Sequence, residues 1–302
     1  MASAIFKDGA TLIRRPGHKT VGLLLVSPAA LFLLAFFILP NLLLVAYSFT
    51  AQMQDGALVT GLNLENYRRA FAVDLYWIVL LRTVRIAATA SVVAAVFAFP
   101  LAMVIAQGGR FAKVVTLVVV APLLVNVVIR SYAWAQLLSR QGALNWVLGQ
   151  TGIAENAPQL LYTEWAVLIA SVHVFLPFLV LPLASAMEKI PATVIDAARV
   201  AGATPATVFR RIILPLSLPG LVVGMSLVFS LTAAAYVTPQ ILGGNFAPLV
   251  GTLIEQQVLS LNDWPFGAAL ATLLILTVLT VNLVFLKLIE RKTSSWTAGA
   301  RA

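Results

Sequence analysis

Residues 188–220 read EKIPATVIDAARVAGATPATVFRRIILPLSLPG, a polar run inside a mostly apolar chain. Pro191 suits the first turn of a helix, where its missing N–H costs nothing. The pattern predicts a helix over 192–201 that stops at Gly202, a residue suited to the left-handed position after a helix. Thr204 followed by Pro205 is a second start signal, a cap and a first-turn proline. A second helix is expected over 206–213, giving way at Pro215 where another apolar run begins. The segment is therefore a helix–break–helix hairpin between two apolar stretches. On its first helix Val194, Ala197, Ala198 and Ala201 share a face by three-and-four spacing. These side chains are mostly small, so a second surface can approach the backbone, while Asp196 and Arg199 lie on a more polar flank. Two readings fit: a surface helix packed on the protein's own bundle, or an insert for a groove on a partner.

Working outward, the rest of the chain is membrane-like. Of its 302 residues 61% are hydrophobic and 10% charged, where a soluble domain carries about 25% charged. A disordered chain would be polar. A spanning helix needs about 20 apolar residues, and six stretches qualify: 21–49, 77–106, 112–138, 165–187, 215–242 and 267–289. The first follows Arg14, Arg15 and Lys19, but it is longer than the roughly 7–15-residue core of a signal peptide and is read as a retained helix. The fold expected is all-α: a polytopic membrane protein whose hairpin at 188–214 lies inside one membrane domain, 21–289. The flanking segments 1–20 and 290–302 are expected in the cytoplasm.

Orientation follows from charge. With both termini inside, the inner segments hold Lys7, Arg14, Arg15, Lys19, Arg110, Lys113, Lys189, Arg199, Arg210, Arg211, Lys287, Arg291, Lys292 and Arg301. Only Arg68, Arg69, Arg82, Arg85, Arg130 and Arg140 fall outside, where most of the acids also lie, an asymmetry that matches the positive-inside rule. The net charge of +9 is thereby explained by topology, without nucleic-acid binding. The outer segment 50–76 is expected to be partly helical around 64–71. The outer segment 139–164, with Gly142, Asn145, Gly149 and Gly152, reads as a short re-entrant or interfacial helix. The chain has no cysteine, hence no thiolate metal site or catalytic thiol. His18 and His173 alone make no metal site.

The hairpin also resembles the signature of the permease subunits of binding-protein-dependent ABC importers: E-A-A, three residues, Gly, nine residues, I-x-L-P. Here Asp196, Ala197 and Ala198 are followed at the family spacing by Gly202, then by Ile212, Leu214 and Pro215. Asp196 stands where the family commonly has Glu, a change of one methylene that keeps the charge. The resemblance extends over all six spans and implies the type I ABC importer permease fold. It implies that Asp196, Ala197, Ala198, Arg199, Gly202, Leu214 and Pro215 form a coupling hairpin seated in a groove of a separate ABC ATPase, present twice. The chain lacks the phosphate loop G-x-x-x-x-G-K-[ST], so ATP and magnesium are expected on that partner, with no cofactor held here. An external solute-binding protein and a second, non-identical permease complete the implied assembly, in the inner membrane of a bacterium.

Two further stretches resemble the polyamine (spermidine/putrescine) branch: Arg130-Ser-Tyr132-Ala-Trp134 followed by Gly142-Ala-Leu-Asn145, and Tyr236-Val-Thr238-Pro239-Gln240-Ile-Leu-Gly243-Gly244. Permeases for opines, other amines and some anions share parts of them. Pro239 and the Gly243–Gly244 pair are expected to break the fifth span near its outer end, and broken backbone at membrane depth must be satisfied by protein or a water-filled cavity. Asn126, Arg130, Tyr132, Trp134, Tyr236, Thr238, Gln240 and Glu255 are the candidate pathway residues. The aromatic rings among them suit an ammonium through cation–π attraction, and equally suit an interfacial aromatic belt. Asn126, His173 and Asn282 lie in apolar runs, where interhelical hydrogen bonding is the plainer role. Arg82 and Arg85 are expected to snorkel toward headgroups. An ion-coupled secondary transporter would need more intramembrane ionisable groups, and a membrane enzyme would need clustered acids or histidines.

Overall fold

The computed structural model describes residues 18–52, 58–59, 63–150 and 159–299. Most of the N-terminal segment, Gly152, Glu155 and the end of the tail lie outside them. The chain divides into two units, Met1–Ala46 and Tyr47–Ala302. In chain order the helices are α1 (His18–Leu33), α2 (Leu39–Ser48), α3 (Glu65–Ala72), α4 (Asp74–Ala106), α5 (Gly109–Val120), α6 (Val127–Leu138), α7 (Ala143–Gln150), α8 (Glu164–Phe175), α9 (Pro177–Glu188), α10 (Ala192–Val200), α11 (Pro205–Val208), α12 (Leu214–Ala234), α13 (Val237–Gly243), α14 (Val250–Glu255) and α15 (Trp264–Gly299). A two-residue antiparallel pair joins Ala51 with Val59 and Gln52 with Leu58 before α3.

Four helical runs are long and apolar enough to cross a membrane: Val26–Ser48, Asp74–Ala106, Pro205–Ala234 and Trp264–Lys287. Two bent pairs bring the number to six where each counts as one span: Gly109–Leu124 with Val127–Gln150, bent by 101°, and Glu164–Phe175 with Pro177–Glu188, bent by 44°. The six apolar stretches of the sequence are all present, but the structure differs from expectation at three places. The third stretch is not continuous over 112–138. It ends in a 3-10 turn at Ala121–Leu124, turns at Val125 and restarts at Val127. Pro122 has no N–H to donate to the preceding turn, and Asn126 is a strong cap for a new start.

The fifth span also breaks, but at Ala235–Tyr236 rather than at Pro239. Pro239 sits inside α13. A proline ring clashes with the carbonyl four residues earlier in a continuous helix; that carbonyl is Ala235's, and Ala235 leaves the helix with ψ 139°. The break therefore appears one turn before the residue that causes it. Gly244, at φ +51°, ends α13. The third difference is at Pro215, where the hairpin does not give way. α11 runs through a π-helical turn, Phe209–Ile213, straight into α12. The same device occurs in the first span, where the π turn Leu34–Ile38 precedes Leu39 and Pro40. In both, the leucine N–H reaches back five residues, to Leu34 and to Phe209. The wider turn gives the following proline ring room.

The centre of the second unit is the packing of α4, α9 and α12. Ala90, Ala94, Ala98 and Ala102, all 0% exposed, form a smooth stripe at four-residue spacing on α4. Leu179, Val180 and Leu183 of α9 and Val228 of α12 join the same cluster. Gly220 and Gly224 let α12 approach α9 closely. A Cβ on Gly220 would stand 2.5 Å from Ala186 Cβ, and one on Gly224 2.9 Å from Leu179 Cα. Small residues four apart are the usual means of close helix contact in lipid, where apolar burial drives little. Outward-facing side chains are apolar instead: Val96, Phe97, Leu117, Val118 and Leu276 are all more than half exposed. A soluble surface rarely presents such a contiguous apolar face.

Candidate functional site

The hairpin is built by its caps. Pro191 precedes α10 with extended backbone, and Gly202 follows its C-cap at φ +79°. The Gly202 N–H donates to the Arg199 carbonyl at 2.9 Å and the Ala203 N–H to the Ala198 carbonyl at 3.0 Å. This pair of bonds is a Schellman close, which needs a residue tolerant of positive φ. Thr204 then caps α11, its hydroxyl accepting from the Thr207 N–H at 3.3 Å. Val194, Ala197 and Ala201 are exposed, whereas Ala198 turns half inward beside Ile195. Asp196 and Arg199 pair across one turn at 3.6 Å with both side chains about two-thirds exposed. Such a pair contributes little to stability. Pro215 is buried and Leu214 half-buried at the π turn. A cavity of about 710 Å³ separates the hairpin from the ends of α4 and α9, lined by Met103, Ala106, Met187, Ile195, Val208 and Phe209 among others.

A second site gathers at the two breaks. Asn126 caps α6, its side-chain oxygen accepting from the Val128 N–H at 2.8 Å. Arg130, one turn on, donates from Nη1 to the Pro122 carbonyl at 2.8 Å. One residue thus satisfies a donor freed by the break and the other an acceptor, as backbone at membrane depth requires. Arg130 Nε is buried without a hydrogen-bond partner. Ser131, fully buried, lies 3.1 Å from Thr238 Oγ1 and ties α6 to α13. Trp134 Nε1 donates to His173 Nδ1 at 3.2 Å, with the rings edge-on. The imidazole accepting at Nδ1 is neutral, with its proton on Nε2, and acts as an interhelical tie. Asn282 is another: its Nδ2 donates to Ser230 Oγ at 2.9 Å. Tyr236 precedes α13 at the fifth-span break, 48% exposed, and Tyr132 is 60% exposed. Gln240 Nε2 donates to Glu255 Oε2 at 3.4 Å, joining α13 to α14.

The breaks therefore assemble Thr238, Gln240, Glu255 and Tyr236 around α13, while Asn126 and Arg130 serve the backbone of the third span. Arg82 and Arg85, expected to snorkel toward headgroups, both meet a carboxylate of the chain. Arg82 Nε meets Glu164 Oε1 at 3.0 Å, and Arg85 takes the other oxygen of the same carboxylate. Glu164 begins α8 beside its Thr163 cap, so it ties the fourth span to the second. Arg69 pairs with Asp263 at 2.8 Å and lies 4.0 Å over the Phe266 ring, fastening α3 to α15. Sequence reasoning misses Ser131 and Glu164. Glu164 has a legible signal, since Arg82 and Arg85 share a helix face three residues apart and need an acid.

Comparison with known proteins agrees with this geometry. A family model described as "Binding-protein-dependent transport system inner membrane component" matches residues 87–295. The spermidine/putrescine transport system permease protein PotB of Haemophilus influenzae is 34% identical over 266 residues, 86% of this chain and 92% of that protein. Its Escherichia coli counterpart is 32% identical over 254 residues, 84% of this chain and 92% of that protein. Among solved structures, a bacterial alginate ABC transporter with its pentasaccharide-bound periplasmic protein superposes with a TM-score of 0.70 at 18% identity, covering 90% of this chain and 95% of the matched one. That likeness concerns the fold alone. The match over most of the chain and the four to six apolar spans lead to one conclusion: this chain belongs to the inner-membrane components of binding-protein-dependent transport systems.

Proposed function

We propose that the chain is the pathway-forming permease of an ATP-driven importer whose cargo is a polyamine, spermidine or putrescine, or a related amine. Glu255 carries this reading. Its carboxylate stands beside the broken end of the fifth span, meets the Gln240 amide, and has no basic partner among the described residues. Glu164 and Asp263, by contrast, are neutralised by arginines. An ammonium passing the break meets a free negative charge and the exposed ring of Tyr236, and each such cation–π contact is worth about 0.5–2 kcal/mol. The names of the PotB relatives support the same cargo.

In this reading the hairpin and both termini face the cytoplasm. Asp196, Ala197, Ala198, Arg199 and Gly202 enter a groove of one subunit of an ABC ATPase dimer, and Leu214 and Pro215 join the hairpin to the fifth span. ATP and magnesium are used on that dimer. ATP binding draws two coupling hairpins together and tilts the spans from inward-open to outward-open. The second hairpin belongs to a non-identical permease, and an external solute-binding protein delivers the cargo.

The test is uptake into vesicles reconstituted with the chain, its second permease, the ATPase and the binding protein. Spermidine uptake should require ATP and the ATPase, and Glu255→Gln should lower it about tenfold, the order expected for one contact to a charged group. Uptake driven by a proton gradient without ATP would make the chain a secondary transporter. Preference for an opine or an amino acid over spermidine would move the cargo elsewhere in the family.

A further inference from the structure

Thr83 lies in α4 and is 0% exposed. Its hydroxyl donates to the Val79 carbonyl at 2.8 Å, which leaves its oxygen free to accept. It accepts from the Val250 N–H at 3.0 Å, and Val250 is the first residue of α14. The opening N–H groups of a helix have no partner within it; here a side chain from another span supplies one. The preceding N–H, Leu249's, is taken by Thr252 Oγ1 at 3.0 Å. A close approach to the fifth span fixes the same helix at the residue after Val250. A Cβ on Gly251 would stand 2.5 Å from the Ala235 carbonyl oxygen, at the break of the fifth span. α14 is therefore held between the second span and the break. Glu255 closes its α-helical part, five residues after Val250, and the helix continues through a π turn over Gln256–Ser260, so a displacement at Val250 is carried along the helix to the carboxylate.

We infer that Thr83 is a positioning residue for the transport pathway: by capping α14 from the second span it sets where Glu255 stands against Gln240 and the passing cation. The inference rests on the reading of Glu255 as the acid that holds the cargo. Thr83 does not touch the cargo; it acts through the helix that carries Glu255.

The experiment uses the complete importer in vesicles and reads spermidine imported per ATP hydrolysed, alongside the rate of ATP hydrolysis. Thr83→Val keeps the side-chain volume and removes the acceptor. Import per ATP should fall about fivefold, the order of one ordinary hydrogen bond, with ATP hydrolysis unchanged. Thr83→Ser should restore it. In a Glu255→Gln background Thr83→Val should cost nothing more, because both changes act on one charge. Gly251→Ala, which displaces α14 at its contact with the Ala235 carbonyl, should repeat this pattern and serves if Thr83→Val does not assemble. Thr83→Val with wild-type import per ATP, beside a damaged Glu255→Gln, overturns the positioning role. So does a Thr83→Val loss that persists in full on top of Glu255→Gln. If Glu255→Gln itself imports normally, the reading of Glu255 falls and the role of Thr83 falls with it.

Discussion

Gly202 and Gly224 are both glycines for reasons of geometry, but the reasons differ. At Gly202 φ is +79° and the space a Cβ would fill has nothing within 4 Å, so an alanine meets strain without a clash. Gly202→Ala should cost about 1 kcal/mol of hairpin stability. The expected outcome is normal insertion with weakened stimulation of ATP hydrolysis by the loaded binding protein, checked on the reconstituted importer. Trp134 offers a second residue-scale test. Trp134→Phe keeps a ring against His173 but removes the donor to Nδ1. An interhelical hydrogen bond in a membrane protein contributes about 0.6 kcal/mol on average, so a small fall in unfolding free energy in detergent is expected. Gly202 is legible in the sequence from its place between two start signals. The Trp134–His173 bond is not, because 39 residues separate the partners and nothing local marks the pairing.

Among the elements, α9 and α12 depend on close approach. Gly224→Leu should force them apart, because the added Cβ meets the Leu179 backbone rather than a movable side-chain tip. Overpacking of this kind costs about 1–3 kcal/mol, seen as a lower melting temperature of the purified chain. The breaks in the third and fifth spans are only partly legible. Asn126, Arg130, Pro239 and Gly244 stand out in the sequence, yet the fifth-span break lies at Ala235, because the proline acts four residues upstream. The sequence pattern ends the hairpin's second helix at Pro215. The π turn at Phe209–Ile213 carries it onward instead, so α11 and the fifth span are one continuous helical piece. A movement of α11 therefore reaches α12 without an intervening loop.

At the scale of the whole molecule, ATP hydrolysis belongs to a separate subunit, so the chain's part is that of a permease. Its orientation is directly testable because it contains no cysteine. A single cysteine at Ala201 should react with a membrane-impermeant thiol reagent only from the cytoplasmic side, and one at Asn245 only from outside; the reverse pattern would invert the topology. The six apolar stretches, the charge asymmetry and the hairpin caps were determined by sequence alone. Each is a local property: a run long enough for the bilayer, a loop charge, or a cap within four residues of what it caps. Only the tertiary structure decided that Arg82 and Arg85 share Glu164, that Ser131 meets Thr238, and that Thr83 holds the start of α14. Those contacts join residues 79 to 167 positions apart. Which buried polar groups meet is settled by helix packing, where the cost of an unpaired group in hydrocarbon selects the partner and no local pattern encodes it.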